Sequence, residues 1–529
     1  MQLAILLWLA AHPLIQATQF PLQSPLETTA GWDDLDAGPQ ANETAHLTFE
    51  TANSLLQHWP NTRYRNGHTI VPGTIPVGTL LHHGRSDQNV PTFAEWTTMD
   101  PEHAYLFCGN KAMSSSEFFL MFVVTRPLKV VYFDGSSGAN MKDGSLDMQD
   151  LLLWGKARPD RWMAERARID GLCEWGREFG VDGEVMLCSF SSGVELLSAN
   201  FLAAMWSRDI TAPQLSRFWH STEFSGDEPN MDPLIWDLVR FESIRAGKWH
   251  ERYPGETRVS LDMARSVSLY DTSLAPSLVA ARAGKERWDH RIEAISAVDL
   301  VAVKQRLREV LADSNTEVGS GIDSLYRVVV KRYADRLELL HHLLNTTDPN
   351  LIQNRTRVVQ RQLRIMLTPY ILYSVQPAGN NPDDDSWAAP IWHACATQHT
   401  AHIHTRAHLT PSECVLLSAL DGTNREICRV VVRMWVAGVR AGLDMLLPGS
   451  ADTDVSRVFE DWRTSADSLV SWLDWSVWVK CRPECSAEEI CYLPTWPWFW
   501  DEWMSIPEDG EWKRPQPRCI RQVEPYSSF

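Results

Sequence analysis

The run Gly78-Thr79-Leu80-Leu81-His82-His83-Gly84-Arg85 sets two histidines and an arginine where a β-rich stretch ends in glycine. Such a strand end makes a cleft rim where imidazole and guanidinium groups can hydrogen-bond a ligand, so Arg85 is a substrate-binding candidate. Further on, Asp100 as N-cap and Pro101 at the first helical position open a short helix that carries Tyr105. The loop Asp134-Gly135-Ser136-Ser137-Gly138-Ala139-Asn140 offers a second chemistry. Its glycines and serines let backbone N–H groups turn around an anion, which makes Asp134 and Ser136 substrate-binding candidates. The acids that follow, Asp143, Asp147 and Asp150, suit a hard cation or paired acid and base roles across a sugar. The loop lacks both the Gly-Lys-Ser/Thr ending of a phosphate loop and EF-hand spacing, so a plain turn between strand and helix is its other reading. A third cluster holds His393, His399, His402, His404 and His408. Pairs of these share a helix face, but Thr405 stands where a zinc-protease motif has glutamate and Pro411 breaks the helix. A packed or solvated face, with no metal, is therefore expected.

These groups must be positioned by two kinds of structure. From about Ile70, short β-rich runs (79–82, 118–125, 128–133 and 184–190) alternate with helical stretches such as 162–179. Arg126-Pro127 divides two apolar runs, because proline lacks the ladder N–H, and two strands joined there are expected. Beyond about Lys285 the apolar period becomes helical, over 285–312, 322–344, 351–373, 411–447 and 455–480. The fold class is α+β: a mixed α/β domain over 61–275, a mainly helical domain over 285–480, and a Cys- and Trp-rich tail over 481–529. Residues 18–60 mix Pro, Gly, Thr and acids without period and read as a poorly ordered leader.

A chain of 529 residues has room for more than one core. Its formal charge of −18 repels phosphate backbones, which argues against a nucleic-acid partner. Residues 1–17 contain an apolar stretch from Leu3 to Ala11, shorter than the ~20 residues a bilayer span needs, followed by small and helix-breaking residues. This reads as a signal peptide, and the expectation is a secreted protein without an integral membrane span. Export explains the cysteines: Cys481, Cys485, Cys491 and Cys519 form a disulfide framework with three possible pairings, zinc being the rival reading. It also makes Asn42, Asn345 and Asn354, each in an Asn-x-Thr triplet, glycosylation sites. Twenty-four tryptophans supply the last signal. Trp472 and Trp475 recur at helical spacing and read as core, whereas Trp496, Trp498 and Trp500 either strap the helical domain or stack on a glycan.

The segments 78–85 and 95–107, with 132–137, 149–155, 494–497 and 517–521, resemble a family of large predicted secreted fungal proteins with no assigned activity. More locally, a strand ending in His-Gly, a helix reading Asp-Pro-Glu-x-Ala-Tyr and a later glutamate on a strand resemble the layout of ADP-ribosyltransferase-like folds over about 79–198. That resemblance implies NAD, or another N-glycosidic substrate, as the cofactor-like ligand. It also implies roles: His83 as the donor that positions a ribose, Tyr105 as the ring that stacks on nicotinamide, and Glu195 as the carboxylate that meets oxocarbenium charge. Glu184, on a neighbouring strand, competes with Glu195. The alternative function is a non-catalytic cell-wall or carbohydrate-binding surface protein that uses the Trp-rich tail.

Overall fold

The computed structural model describes residues 32, 34–40, 42–85, 91–105, 118–187, 194–198, 205–208, 257–312, 321–345, 348–371, 384–406, 408–447, 454–495 and 510–523. The expected signal segment, Cys108, Cys188, Trp496, Trp498 and Trp500 lie outside these residues.

The first helices among the described residues are α1 (Ala45–Ser54) and α2 (His58–Arg63). There follow β1 (Thr69–Ile75), β2 (Leu80–Arg85), β3 (Glu95–Thr98), α3 (Pro101–Tyr105), β4 (Phe118–Val124) and β5 (Leu128–Phe133). Next come α4 (Asp147–Trp154), α5 (Glu165–Arg177), β6 (Gly183–Leu187), β7 (Val194–Ser198), β8 (Met205–Arg208), β9 (Ser260–Leu261) and β10 (Val267–Ser268). The second half holds α6 (Pro276–Arg282), α7 (Ala297–Ala312), α8 (Ile322–Leu344), α9 (Pro349–Leu367), α10 (Ala389–Thr397), α11 (Ala401–His404), α12 (Pro411–Arg440) and α13 (Val455–Leu473). A two-stranded ladder, β11 (Glu489–Tyr492) and β12 (Arg518–Arg521), closes the described chain.

Strands β1 to β10 make one sheet in the order β10-β1-β5-β6-β7-β3-β2-β4-β8, with β9 also on β1. Only the β5–β6 pair is parallel among the described ladders. Alternation along β5 sends Val130 and Tyr132 to one face, beside Val71, Ile75, Leu81 and Phe122, and Val131 and Phe133 to the other. The second face is covered by Leu151 of α4, Leu172 of α5, and Val303 and Leu307 of α7. Arg126-Pro127 does separate β4 from β5, but the two strands do not pair with each other: β4 joins β2 and β8, and β5 joins β1 and β6.

The helical half has its own core, with Trp392, Trp435 and Trp462 among its fully buried side chains. Helix α12 starts where local chemistry dictates. Thr410 Oγ1 accepts from the Glu413 N–H (3.1 Å), Glu413 Oε2 accepts from the Thr410 N–H (2.9 Å), and Pro411 supplies the fixed φ of the first position.

Two expectations about extent need correction. The leader drawn through residue 60 is helical from Ala45, because Phe49 of α1 is fully buried, 4.8 Å from the Tyr326 ring and 5.7 Å from that of Trp475. Its polar composition conceals one strong apolar anchor. The helix drawn from Lys285 begins only at Ala297; residues 287–289 form a single 3-10 turn and place Arg287 inward.

In the tail the disulfides are Cys481–Cys491 and Cys485–Cys519, with Cα separations of 5.6 and 5.5 Å. Cys491 and Cys519 face each other in the β11–β12 register yet bridge to other partners. A third bridge, Cys395–Cys428, ties α10 to α12 and was not anticipated.

Candidate functional site

The sheet register decides which expected site residues meet. His82 on β2 pairs with Thr98 on β3, and Thr98 pairs with Glu195 on β7. His82, Thr98 and Glu195 thus form one row across three adjacent strands. His83 lies one residue off that row, opposite Leu120, and its Nε2 is 2.9 Å from Glu95 Oε2. Consecutive strand residues face opposite sides of a sheet, so the row joins Glu195 to His82 rather than to His83. His82 is 7% exposed, its ring 5.3 Å from that of Phe119. Burial, helped by Arg258 and opposed by Asp100, holds its pKa below the ordinary histidine value, so the ring is neutral and keeps one N–H to donate. Thr98 is buried and its Oγ1 accepts from the Asp100 N–H at 3.1 Å. Tyr105 ends α3, directly after β3, and Arg85 ends β2, opposite Phe118. Glu184 lies on β6 opposite Leu197, off the His82 row.

Asp134 and Ser136 sit elsewhere, past the end of β5, with β6, β7 and β3 between that strand and β2. Neither is presented to a ligand beside His83. The Asp134 carboxylate accepts from the His68 and Thr69 N–H groups at 2.7 Å each, and Ser136 is fully buried, its N–H on the Arg65 carbonyl. Gly67 and Gly135 make this crossing possible: a Cβ on Gly67 would lie 2.4 Å from the Asp134 carbonyl, and Gly135 has φ +75°. The loop is a backbone clasp, the turn reading of the sequence. The later acids are dispersed, each with its own cation: Asp143 on Lys513 (3.1 Å), Asp147 on Arg291 (2.8 Å) and Asp150 on Arg168. Among the histidines, the exposed His404 pairs with Asp421 (2.7 Å) and His393 packs edge-on to Trp32. Among the described residues, the group of potential ligands close enough for a metal is Cys481, Cys485 and Cys491, whose sulfurs are taken by the disulfides.

Sequence reasoning missed a second polar centre, built around Arg287 from α1, α2, β1, the Asp134 loop, residue 270 and the end of α13. The Arg287 guanidinium lies over the Tyr64 ring (4.3 Å), donates to Thr51 Oγ1 (3.3 Å) and reaches Asp474 Oδ2 at 3.8 Å. Asp474, in the left-handed region at φ +44°, also takes Arg63 (3.3 Å) and the Tyr64 hydroxyl, so the helical half is fastened to the sheet half here. Burial opposes the Arg287 charge, but Tyr270, Tyr64, Asp474 and Glu50 outweigh it and raise its pKa. His68 stacks on Tyr270 at 4.2 Å, and burial, with Arg282 and His290 adding to it, keeps His68 neutral. Burial pushes the carboxyls of Asp134 and Glu50 up to about 7. Apart from the Asn66-Gly67-His68 turn and the Asp134 loop, no sequence signal marks this centre, because its members come from segments hundreds of residues apart.

Glu50 yields a pH prediction. Folding raises its pKa from 4.5 to about 7, so the folded chain holds this proton more tightly than the unfolded one. The resulting stabilisation is fully present below about 4.5 and is lost as pH rises through about 7. His46 and His290, which burial lowers to about 3 and about 4, work in the opposite direction and are unchanged in a Glu50→Gln variant. Comparing Tm across that range, the variant is expected to lose less stability than the parent on alkalinisation. Parallel curves would show that Glu50 titrates alike in both states.

The fold and its polar row define a class: an α+β protein with a ten-stranded mixed sheet and an appended helical half. Residues 108–208, from before β4 through β8, match the family described as the YPL277C N-terminal domain. The chain is 24% identical to the uncharacterized protein YOR389W of Saccharomyces cerevisiae, over 86% of this chain and 82% of that one. It is 30% identical to the uncharacterized protein YPL277C of the same yeast, over 30% of this chain and 42% of that one. These are uncharacterised fungal relatives, as the longer resemblance implied, and none carries an ADP-ribosyltransferase description. No solved structure matches.

Proposed function

We propose that the β2–β3–β7 segment carries an N-glycosidic site of ADP-ribosyltransferase type that acts on NAD. The single supporting observation is the His82–Thr98–Glu195 row. It sets a neutral imidazole donor and a carboxylate on one line of the sheet, with a half-buried aromatic ring, Phe119, beside the histidine. In this reading His82 donates to a ribose hydroxyl. The bond from the ribose C1′ to nicotinamide nitrogen breaks with its electron pair leaving on nicotinamide, and Glu195 stabilises the cationic sugar until water or an acceptor bonds to C1′. The protein is proposed to do this outside the cytosol. Among the described residues, three disulfides and the exposure of Asn42, Asn345 and Asn354 agree with that compartment.

The test is release of nicotinamide from NAD by the purified full chain. Glu195→Gln is expected to lower the rate by about 10²–10³, the usual cost of removing a group aimed at transition-state charge. His82→Ala is expected to lower it similarly, and His83→Ala to leave it nearly unchanged. Release no greater than that of the Glu195→Gln variant removes the proposal, and loss on His83→Ala with none on His82→Ala removes the row.

A further inference from the structure

We infer that the four tail cysteines form, once their two bridges are reduced, a tetrathiolate site for a soft divalent metal ion such as zinc, so that bridges and metal are alternative fastenings of one ladder. Bridges that act only as staples have no need to meet. Here the sulfurs of Cys481, Cys485 and Cys491 all lie within 4.8 Å of one another, and Cys519 is joined to Cys485, so all four gather at one place. Four thiolates at ~2.3 Å from a tetrahedral ion stand about 3.8 Å apart, a spacing that such a cluster accommodates.

The backbone holds the cysteines together by means other than the bridges. In the β11–β12 ladder Cys491 stands opposite Cys519, and the neighbouring pair, Ile490 and Ile520, projects to the other side and is buried. The apolar face anchors the ladder while its opposite face presents the two sulfurs. Cys481 reaches them from the preceding segment: its N–H donates to Cys491 Sγ at 3.0 Å, a bond that favours thiolate over thiol and orients a metal ligand. All four cysteines are partly buried, which leaves a path for reductant and ion. The carboxylates that precede Cys491 are engaged elsewhere: Glu489 accepts from the Ser486 N–H and hydroxyl (3.0 and 2.9 Å), and Glu488 pairs with Arg521 (3.1 Å). The cluster of potential ligands is therefore sulfur alone, which selects zinc over calcium or magnesium. Each bridge takes two electrons and two protons from a dithiol, which becomes a disulfide in turn, and the ion then displaces the protons of the thiols it binds.

Full-length protein would be treated with a dithiol until the tail thiols are free, cleared of reductant without air, and titrated with Co²⁺ as a spectroscopic probe. Sulfur-to-cobalt charge-transfer absorption and the strong visible bands of a tetrahedral ion are expected, saturating at about one ion per chain and bleaching as Zn²⁺ displaces it. Absence of these bands, or the same bands from unreduced protein, would overturn the site. Alkylation with peptide mapping locates the ligands. Zn²⁺ is expected to slow labelling of Cys481, Cys485, Cys491 and Cys519 at least about tenfold, and to leave the exposed free thiol of Cys414 unchanged. Protection of other cysteines in place of these four would overturn the assignment. Cys519→Ser is expected to weaken Co²⁺ at least about tenfold, and equal binding would remove the fourth ligand. Should that variant not fold, the labelling pattern of the parent decides. Nicotinamide release has no bearing on any of these outcomes.

Discussion

Arg168→Leu is expected to destabilise the folded chain by about 3–5 kcal/mol, as breaking a buried ion pair from one side generally does. Arg168 on α5 bonds the carboxylate of Asp150 on α4, and both side chains are 3% exposed. The arginine also lies over the Trp154 ring (5.0 Å) and donates to the Arg161 carbonyl (3.2 Å). Asp150 keeps one further donor, the Arg158 N–H at 2.6 Å, which is too little to compensate a buried carboxylate. Leucine therefore leaves an uncompensated charge within the helical layer that covers the sheet. The Asp150→Leu/Arg168→Leu double variant removes both charges and is expected to be more stable than the single variant. Urea unfolding measures both. A single variant within about 0.5 kcal/mol of the parent would show that the pair is hydrated rather than buried. The prediction also bears on the sequence reading of Asp150 as part of a cation or acid–base cluster: a carboxylate neutralised by its own arginine is structural.

What the sequence reveals and what it hides divide along physical lines. Helix α8 falls at 322–344 as its apolar period predicts, and α12 begins at Pro411, because period and capping are local properties. The β5 strand is legible at 128–133 for the same reason. The choice between His82 and His83 is not local. Both histidines lie in the middle of the same strand, and only pairing with Thr98, and through it with Glu195, selects one; a slip of one residue would select the other. The Arg287 centre is hidden more deeply. Asp134 is visible as a candidate, but Glu50, Tyr64 and His68 look like ordinary solvated polar residues until chain crossing buries them. The clasp that does so depends on Gly67 and Gly135 meeting across 68 positions of sequence. Helix α1 is hidden similarly, since a short amphipathic segment around Phe49 is stable only once Tyr326 and Trp475 close over it.

The Cys395–Cys428 bridge shows the same limit and carries the second large prediction. Neither cysteine sits in a recognisable motif, and a separation of 33 residues says nothing about pairing. The folded helices supply what spacing does not: α10 and α12 bring the two Cα atoms to 5.9 Å within the helical core, at 1% and 0% exposure. The Tyr333 hydroxyl lies 3.5 and 3.6 Å from the two sulfurs, so the bridge is enclosed on the α8 side as well. Closing a loop of this length restricts the unfolded chain enough to contribute about 3–4 kcal/mol. Cys395→Ala/Cys428→Ala is therefore expected to lower stability by about that much, with a further small loss from the sulfur volume removed. Unlike the partly buried tail bridges, this one is fully shielded from solvent reductant. Mild reduction of the folded protein is then expected to release thiols from Cys481, Cys485, Cys491 and Cys519 before Cys395 and Cys428, read by alkylation and peptide mapping. Labelling of Cys395 or Cys428 at the same rate as the tail would mean that α10 and α12 separate readily, and the helical half would be less tightly closed than its buried tryptophans require.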